Sequence, residues 1–395
     1  MVRVLQVVPS LASRTGGVAE AVVQSSRCFG ELGVETTIFT TDIGAPVSAR
    51  RVGTVATNGL PAGAAELDVR LFPATFPRRF AFSPSLDRSL ARAVPRYDVV
   101  HIHSLFLFPQ LAAYRHAVRS RRPYVVTPHG ILVPYHRRHG RPRKFVTDVL
   151  WQRRLMERAA ALHLTSDAEA ELVADIAPRV PRVIAPIGIH WAEFQELPDA
   201  TEFRRRYLGG HGGPVVMHVG RVSHKKAPDV LVRAFAVVAS EVPDAVLVFV
   251  GPDDERRVPK LQALADELGI GPRVVFTGML PGEEGKLSAL AAADVWALPS
   301  NAENFGIAVA EALAAGRPVV ISPYVNTAPE IQAAGAALVA GQEPREFAAA
   351  IVSLLEDHER RAELGRTARE FARGYDWRAV TPGLVEVYGQ VLGRR

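Results

Sequence analysis

The chain has 395 residues, of which 48% are hydrophobic and 22% charged, and its formal net charge is +6. This length and composition predict a globular protein of two domains rather than a disordered chain. No apolar run approaches the roughly 20 residues of a membrane-spanning helix. The single cysteine, Cys28, excludes an internal disulfide and a cysteine-based zinc site.

The positive charge is concentrated in the first half of the chain. Residues 1–195 carry 25 Lys and Arg against 15 Asp and Glu, whereas residues 196–395 carry 22 against 26. The densest basic run is HRRHGRPRK at residues 136–144, which fits either a solvated loop or a surface attracted to an anionic membrane or a phosphate-bearing acceptor. No nucleic-acid partner is expected, because aromatic residues are not interleaved with the basic ones.

The first half of the sequence predicts a parallel α/β domain. Residues 4–8 form a buried strand, Gly16 and Gly17 open a helix that ends near Gly33, and residues 34–40 form the next strand. The glycine pair fits either a tight turn or a phosphate cradle. It does not form the G-x-G-x-x-G fingerprint, which argues against a nicotinamide-dependent enzyme.

Two histidines stand at the ends of the next predicted strands. His103 ends the strand of residues 98–103, and His129 follows the strand of residues 124–127. Ligands of open α/β sheets gather at the carboxyl ends of the strands. Both histidines are therefore candidate site residues, with a purely structural role as the alternative.

The rest of the first half is less regular. Residues 44–95 contain many Pro and Gly and predict only short elements. A long helix is predicted for residues 144–160, and Ser166 and Glu169 have the spacing of a capping box. Residues 186–213 are again rich in Gly and Pro, so we place the domain linker there.

The second half repeats the strand–helix pattern. Residues 214–219 form a buried strand that leads into Gly220, Arg221 and Lys226. Two cations in one turn at the carboxyl end of a strand suit a diphosphate, and a solvated basic loop is the alternative.

Residues 299–322 contain the densest set of candidate ligand-binding groups. The pattern there is polar loop, helix and strand, with the helix predicted from about Asn304 to Ala315. Free N–H groups at a helix start attract phosphate, and carboxylates such as Glu303 and Glu311 accept hydrogen bonds from sugar hydroxyls. A ligand that carries both sugars and phosphates fits this arrangement, and the alternative is an ordinary acidic loop before a helix.

These motifs resemble those of retaining glycosyltransferases with the GT-B fold, specifically glycosyltransferase family 4. The sequence ENFG at residues 303–306, with a second glutamate eight residues after the first, resembles the E-x7-E motif of that family. The segment that starts at Gly220 resembles its G-R-x-x-x-x-K-G motif, with Ala227 where glycine is usual. The segments that contain His103 and His129 resemble its H-x-H and P-H-G segments. The resemblance covers nearly the whole chain.

The resemblance implies a role for each matched residue. Glu303 holds hydroxyls of the donor sugar, Glu311 holds the ribose, and His129 contacts the sugar near its reacting carbon. Two cations neutralise the leaving diphosphate, and main-chain groups near Phe276 and Gly278 contact the base. The implied catalytic residues are His129, Glu303, Arg221 and Lys226. The implied donor-binding residues are Gly16, Gly17, Arg221, Lys226, Phe276, Gly278, Asn304, Phe305, Gly306 and Glu311. The implied acceptor-cleft residue, without an assigned role, is His103.

The implied structure is an α/β protein of the GT-B type, with two Rossmann-like domains facing across a cleft. The expected parts are an acceptor-side domain at residues 1–195, a donor domain at residues 196–375, and a helix at residues 376–395 that crosses back to the first domain. The implied enzyme is a hexosyltransferase that moves a sugar, with retention, from a UDP- or GDP-type nucleotide sugar to a hydroxyl. The acceptor is a glycan, a lipid-linked molecule or a small molecule.

No cofactor and no metal are expected beside the nucleotide-sugar donor substrate. Arg221 and Lys226 supply the positive charge, and no Asp-x-Asp metal motif follows a strand of the second half. Two alternatives are a nucleotide-sugar epimerase of the same fold and a non-catalytic nucleotide-sugar-binding protein. We expect a cytoplasmic protein whose contact with the inner face of the membrane is at most weak and electrostatic.

Overall fold

The computed structural model describes residues 1–12, 16–44, 60–132 and 147–393. The chain divides into two compact units, which are Met1–Gly188 with Trp377–Arg395 (unit 1) and Ile189–Asp376 (unit 2). The domain boundaries proposed from the sequence, after residues 195 and 375, stay predictions. The basic run at residues 136–144 lies outside the described residues, and the role predicted for it stays a prediction.

Unit 1 is built on one parallel sheet of seven strands. The strands are β1 Val2–Ser10, β2 Val34–Thr41, β3 Asp68–Phe72, β4 Val99–His103, β5 Tyr124–Thr127, β6 Ala161–Leu164 and β7 Arg182–Ile184. Their order is β3-β2-β1-β4-β5-β6-β7. Every residue of β4, β5 and β6 is buried, as expected for parallel strands covered on both faces. The strand order reverses between β1 and β4, and ligands of such sheets bind at the carboxyl ends of the strands there.

Helices flank this sheet. The described helices of unit 1 are α1 Gly17–Glu31, α2 Pro84–Ala93, α3 Phe108–Arg119, α4 Arg153–Glu157, α5 Asp167–Ala174 and, at the other end of the chain, α14 Trp377–Gly393. A π-helical turn, Asp148–Gln152, precedes α4, so the described part of the helix predicted at residues 144–160 is irregular. The C-terminal α14 packs on α1, where the Phe29 and Tyr388 rings meet edge to face at 5.6 Å.

Unit 2 is built on a second parallel sheet, this time of six strands. The strands are β8 Val215–Val219, β9 Val246–Val250, β10 Val274–Gly278, β11 Val295–Leu298, β12 Val319–Ile321 and β13 Leu338–Val339, in the order β10-β9-β8-β11-β12-β13. The described helices are α6 Ala200–Leu208, α7 Pro228–Glu241, α8 Val258–Glu267, α9 Gly282–Ala292, α10 Ile307–Ala314, α11 Ala328–Ala333, α12 Pro344–Glu356 and α13 His358–Ala372. The predicted pair of parallel α/β layers is therefore confirmed.

Two predictions about elements were wrong or incomplete. The linker predicted at residues 186–213 contains α6, which Asp199 caps by accepting a hydrogen bond from the Thr201 N–H. The sequence did not predict β3 or α2 individually, because the many Pro and Gly of residues 44–95 interrupt the short hydrophobic patterns of these two elements.

Candidate active site

The carboxyl ends of β8 and β11 carry the charged residues of unit 2. These strands are neighbours where the strand order reverses. The chain leaves β8 through Gly220 into a 3₁₀ turn, His224–Lys226, and leaves β11 through a loop that leads to Glu303. The Asn301 N–H donates to the Lys225 carbonyl at 2.8 Å and joins the two loops. Two motifs that are about 80 residues apart in the sequence thus meet at one sheet edge.

Glu303 is ion-paired with two lysines. Its Oε1 lies 2.7 Å from Lys226 Nζ, and its Oε2 lies 3.5 Å from Lys225 Nζ. The Glu303 side chain is 10% exposed, and this burial by itself raises the pKa of the carboxyl group. The two lysines outweigh burial, so the pKa of Glu303 lies below its ordinary value. The group is therefore an ionised acceptor of hydrogen bonds at neutral pH.

Arg221 lies between β8 and this turn and has a different partner. Its Nε lies 3.6 Å from Asp254 Oδ2, in an ion pair with substantial exposure. Such exposed pairs contribute little stability, so a diphosphate can compete for the guanidinium group. Ala227, which stands where the motif usually has glycine, adopts a left-handed conformation with φ 49°. The turn therefore keeps the backbone shape that glycine would favour.

The loop after β11 enters α10 differently from the prediction. The helix begins at Ile307, and Gly306 is its N-cap with φ 78°. A side chain there would be strained, and an added Cβ would lie 3.1 Å from Val309 Cγ2. The predicted start at Asn304 was wrong because this glycine turns the chain before the helix. Within the described residues the N–H groups of Phe305 and Gly306 donate no hydrogen bond, and they lie where the helix dipole favours an anion.

Glu311 lies one turn into α10 and pairs with a residue that sequence reasoning missed. Lys286 of α9 places its Nζ 2.8 Å from Glu311 Oε1 and lies 5.5 Å from the centre of the Phe194 ring. Both side chains of the pair are mostly buried. The ion pair fixes one carboxylate oxygen, and Oε2 has no hydrogen-bond partner in the described part of the chain, so it can accept from a hydroxyl.

The two residues predicted to lie near the base end β10. Phe276 stacks on Phe249, with ring centroids 5.0 Å apart and planes within 8° of parallel. Gly278 has φ 72°, and its carbonyl accepts a hydrogen bond from the Gly251 N–H at 2.9 Å. The Phe276 ring packs against the core of unit 2, and the predicted contact of this turn with a base stays a prediction.

A buried histidine that the sequence did not single out lies beneath the same edge. His218 of β8 donates from Nδ1 to the Ala297 carbonyl at 3.3 Å, and its ring stacks near Trp296. Burial and the nearby charge of Lys226 lower the pKa of His218 to about 4. His218 is therefore neutral at pH 7 and adds no charge to the site.

In unit 1, the glycine pair lies where it was predicted. Gly16 is the N-cap of α1 with φ 92°, and Gly17 is the first helical residue. Glycine supplies no side-chain cap, and in the first turn the Ala19 N–H donates to the Gly16 carbonyl at 3.1 Å. The N–H groups that come before it in the turn are the candidates for binding an anion. The geometry is compatible with a phosphate contact, and that contact stays a prediction.

Four histidines cluster in unit 1, and burial sets their charge. They are His101, His103, His129 and His163, and three of them form a stack, with ring centroids 4.2 Å and 5.3 Å apart. Burial lowers the pKa of all four, that of His129 to about 3 and that of His163 to about 4. Each is neutral at pH 7 and has one donor and one acceptor nitrogen.

One hydrogen-bonded chain in this cluster runs from β6 to α14. His163 Nε2 donates to the Ala185 carbonyl, which can only accept, so His163 Nδ1 accepts from the Thr127 hydroxyl at 2.9 Å. Thr127 Oγ1 accepts from His101 Nε2, and His101 Nδ1 accepts from the Tyr388 hydroxyl, each at 2.7 Å. The Ala185 carbonyl at one end thus determines which atom donates and which accepts in every hydrogen bond of this chain. The chain fastens α14 to the centre of the sheet.

The two histidines selected from the sequence belong to a second chain. His103 Nδ1 lies 3.0 Å from His129 Nε2, and His103 Nε2 lies 2.8 Å from Gln6 Oε1. Protein partners thus occupy both nitrogens of His103, which was predicted to line the acceptor cleft. His129 is half-buried and has a left-handed backbone with φ 55°. Of the two, His129 is the residue whose second nitrogen has no hydrogen-bond partner among the residues that the structure describes.

A buried carboxylate holds the loop that carries His129. Glu169 Oε1 accepts from the Gly130 N–H at 2.6 Å, and Oε2 accepts from the N–H and the hydroxyl of Thr165 at 2.9 and 3.0 Å. Ser166 caps α5 by accepting from the Glu169 N–H, which confirms the helix start predicted there. The Glu169 side chain thus pins the loop after β5.

Comparison with known proteins identifies the family. The family model described as "Glycosyl transferases group 1" matches residues 199–371, and the one described as "Glycosyl transferase 4-like domain" matches residues 16–188. A D-inositol 3-phosphate glycosyltransferase of Nocardia farcinica is 30% identical over 393 residues, which cover 95% of this chain and 85% of the relative. The chain is a glycosyltransferase of family 4. A second relative, a D-inositol 3-phosphate glycosyltransferase of Thermobispora bispora, is 30% identical over an alignment that covers 96% of this chain and 91% of the relative.

Solved structures agree with the fold of this family 4 glycosyltransferase. Anabaena HepE in complex with UDP and glucose superposes with a TM-score of 0.80 at 20% identity, covering 98% of this chain and 100% of that chain. Sucrose-phosphate synthase from Thermosynechococcus elongatus superposes with a TM-score of 0.78 at 20% identity, covering 100% of each chain. The predicted GT-B fold and enzyme class are confirmed. Among the helices of the described ranges, none is long and apolar enough to cross a membrane.

Proposed function

We propose that the protein is a retaining glycosyltransferase that moves a sugar from a nucleoside-diphosphate sugar to a hydroxyl acceptor without a metal ion. The observation that carries this proposal is the cluster of Lys225, Lys226 and Glu303 at the switch point of the unit 2 sheet. It combines cations for a diphosphate with an ionised acceptor for sugar hydroxyls. The N–H groups of Phe305 and Gly306 follow within three residues and add neutral donors for the same ligand.

The chemistry needed from these residues is charge stabilisation rather than covalent catalysis. In a retaining transfer of this kind the bond from the anomeric carbon to the diphosphate breaks, and the acceptor oxygen bonds to that carbon on the same face. The departing phosphate takes the proton of the acceptor hydroxyl. Arg221, Lys225 and Lys226 would stabilise the negative charge that grows on the diphosphate. Glu303 would orient the sugar through its hydroxyls. The role predicted for His129, a contact to the donor sugar, stays a prediction from its sequence motif.

The relatives suggest which ligands to test first. HepE was solved with UDP and glucose, so UDP-glucose is the first donor, with a GDP sugar as the competing choice. The family 4 relatives act on D-inositol 3-phosphate by name, so a small phosphorylated polyol is the first acceptor. Glycan and lipid-linked acceptors stay in the panel because the sequence left all three classes open.

The proposal is tested with the full chain in two stages. Calorimetry with UDP and with GDP, each with and without EDTA, identifies the base and any need for a metal. Incubation of the matched UDP or GDP sugars with inositol 3-phosphate, glycan and lipid-linked acceptors then detects transfer, and the anomeric proton coupling of the product reports retention or inversion.

Each competing outcome has a distinct readout. Conversion of the donor to an epimeric nucleotide sugar without an acceptor would mean an epimerase. Tight donor binding with no turnover of any acceptor would mean a non-catalytic binding protein. An inverted product, or activity abolished by EDTA and restored by a divalent cation, would overturn the retaining, metal-independent mechanism. The variant Lys226→Ala serves as the control for site-specific turnover.

A further inference from the structure

A buried hydrogen-bonded chain connects α1 with His129 in unit 1. It starts at Ser26, whose hydroxyl donates to the Val22 carbonyl one turn earlier at 2.6 Å. Ser26 Oγ accepts from Gln6 Nε2 at 2.6 Å, and Gln6 Oε1 then faces His103 Nε2 at 2.8 Å. His103 Nδ1 faces His129 Nε2 at 3.0 Å. Gln6, Ser26 and His103 are all buried.

The donors and acceptors in this chain have one consistent assignment. The Val22 carbonyl can only accept, so the Ser26 hydroxyl donates to it and its oxygen accepts from the Gln6 amide NH₂. The carbonyl oxygen of the Gln6 amide then faces His103, so His103 carries its proton on Nε2. His103 Nδ1 is the acceptor, and the facing His129 Nε2 must be the donor. A neutral His129 is thereby left with an unprotonated Nδ1.

The reversed assignment is possible in principle but makes one hydrogen bond fewer. It requires the Gln6 amide to turn over, and the Ser26 hydroxyl must then donate to Gln6 and abandon the Val22 carbonyl. The observed arrangement keeps the hydrogen bond from the Ser26 hydroxyl to that carbonyl as well. The serine on α1 therefore selects the state of a histidine that lies three hydrogen bonds away.

The nitrogen left at the end of this chain of hydrogen bonds is His129 Nδ1. Within the described residues His129 Nδ1 is buried and forms no hydrogen bond. The backbone of His129 has a left-handed conformation, and the N–H of the next residue, Gly130, donates to Glu169. A buried nitrogen that carries a lone pair and lacks a donor is an unsatisfied group that a ligand hydroxyl can satisfy.

We propose that Gln6 and His103 are positioning residues that hold His129 in the tautomer protonated on Nε2, so that its bare Nδ1 accepts a hydrogen bond from a substrate hydroxyl. The identity of the hydroxyl rests on the proposed function, and the tautomer does not. The role belongs to this chain of hydrogen bonds, because the other one, through His101 and Thr127, ends at Tyr388.

The tautomer is tested in the free protein by nitrogen-15 NMR of labelled histidine. The variants His103→Gln and His129→Gln assign the two residues by loss of their signals. At pH 7 both neutral histidines should show a protonated Nε2 and a bare Nδ1. A His129 that is protonated on Nδ1 in the wild-type protein would overturn the proposal, whether or not any sugar transfer has been detected.

The relay is tested by Gln6→Met, which removes the amide at similar volume. Its matched control is Gln110→Met, because Gln110 is equally buried and donates to the main-chain carbonyl of His103, not to its ring. Gln6→Met should mix the two tautomers of His129 and lower kcat/KM by about tenfold beyond the control, since a misdirected histidine tautomer impairs catalysis. Both variants should lose similar thermal stability.

Two results would contradict the positioning role of Gln6 and His103. One is a His129 tautomer unchanged in Gln6→Met. The other is a shifted tautomer with kcat/KM equal to that of Gln110→Met. Ser26→Ala should cause a smaller shift of the same kind, and Ser26→Thr, which keeps the hydroxyl, should restore the wild-type tautomer. Absence of all transfer activity with the wild-type tautomer intact would instead count against the proposed function.

Discussion

Lys226 places its Nζ 2.7 Å from Glu303 Oε1, so the cation predicted to stabilise the leaving diphosphate is ion-paired with the carboxylate predicted to hold the sugar. Lys225 Nζ lies 3.5 Å from the other oxygen of the same carboxylate. A bound diphosphate would compete with Glu303 for both lysines. The strength of donor binding is therefore coupled to the charge of Glu303.

This coupling predicts opposite effects of one substitution on two ligands. Glu303→Gln removes the charge that holds the lysines, so the nucleoside diphosphate should bind about three- to tenfold more tightly, while kcat for transfer falls. Arg221→Ala and Lys226→Ala should instead lower kcat by roughly 10²–10³-fold, the scale for loss of one charge-stabilising group. Calorimetry with the nucleoside diphosphate and steady-state kinetics measure the two effects.

The control for charge alone is Glu370→Gln, which removes an exposed carboxylate paired with Arg373 and should change neither quantity. Weaker binding of the nucleoside diphosphate to Glu303→Gln would show that Glu303 does not compete for the lysines. Near-normal turnover of Lys226→Ala would remove that lysine from the diphosphate site.

The Lys286–Glu311 pair predicts an indirect effect on ribose binding. Lys286 holds Glu311 Oε1 at 2.8 Å, so Lys286→Met should let the carboxylate turn away and weaken binding of the nucleoside diphosphate by about three- to tenfold. Glu311→Ala should weaken it more, because the acceptor itself is lost. If Lys286 acts through Glu311, the double variant should be no weaker than Glu311→Ala, and additive losses in a double-mutant cycle would refute this.

The sequence predicted the parts of the site that local patterns encode. Three apolar runs predicted strands, and the residues after them marked the carboxyl ends of those strands. These residues are Gly220, His129 and the loop to Glu303. The structure brings Lys226 and Glu303 together at one such edge. The fold and the family followed from the same motifs. The left-handed cap at Gly306 was missed, because a glycine near a helix start is compatible with either a first helical turn or a cap.

The groups that hold the site residues could not be predicted in the same way. Lys286 of α9 reaches Glu311 of α10 only in the folded unit 2, and nothing in its local sequence marks it. Gln6 could have been selected from the sequence, because it is a polar residue inside an apolar strand. Its partner Ser26 is ordinary for a helix, so the link to His103 needed the packing of α1 on the sheet.

The Tyr388–His101 hydrogen bond predicts a contribution of α14 to the stability of unit 1. Tyr388→Phe removes the hydroxyl and leaves the buried His101 Nδ1 without a donor, which should cost about 1–3 kcal/mol. Thermal unfolding should detect a fall in Tm of several degrees. The control is Tyr207→Phe, whose hydroxyl forms no hydrogen bond in the described residues. Equal Tm values for the two variants would contradict the role of the bond.

The neutral histidines of unit 1 predict acid sensitivity. Burial lowers the pKa of His101, His103, His129 and His163 below the ordinary 6.5. The unfolded chain therefore binds more protons than the folded one below pH 6.5, and the free energy of unfolding falls as the pH falls. The stabilisation is complete above about pH 7, and each histidine removes up to about 1.4 kcal/mol per pH unit between 6.5 and its folded pKa.

Urea unfolding at pH 7.5, 6.5 and 5.5 measures this slope. Proton uptake on unfolding should rise above one proton near pH 5.5, because several histidines contribute. His358→Gln changes an exposed histidine and should leave the slope unaltered. A free energy of unfolding that is constant from pH 7 to pH 5.5 would mean that these histidines titrate normally in the folded protein.

The left-handed cap at Gly306 predicts a loss of donor binding that exceeds its loss of stability. Gly306→Ala forces alanine into φ 78° and sets a Cβ 3.1 Å from Val309 Cγ2, which should destabilise the protein by about 1–2 kcal/mol and shift the N–H groups of residues 305 and 306. Gly209→Ala is the matched control, because Gly209 is left-handed at φ 60° with open space around it and lies at the end of α6. Both variants should unfold more easily, but only Gly306→Ala should weaken binding of the nucleoside diphosphate, by about tenfold in calorimetry. Equal affinity of the two variants would show that the N–H groups before α10 do not bind the diphosphate.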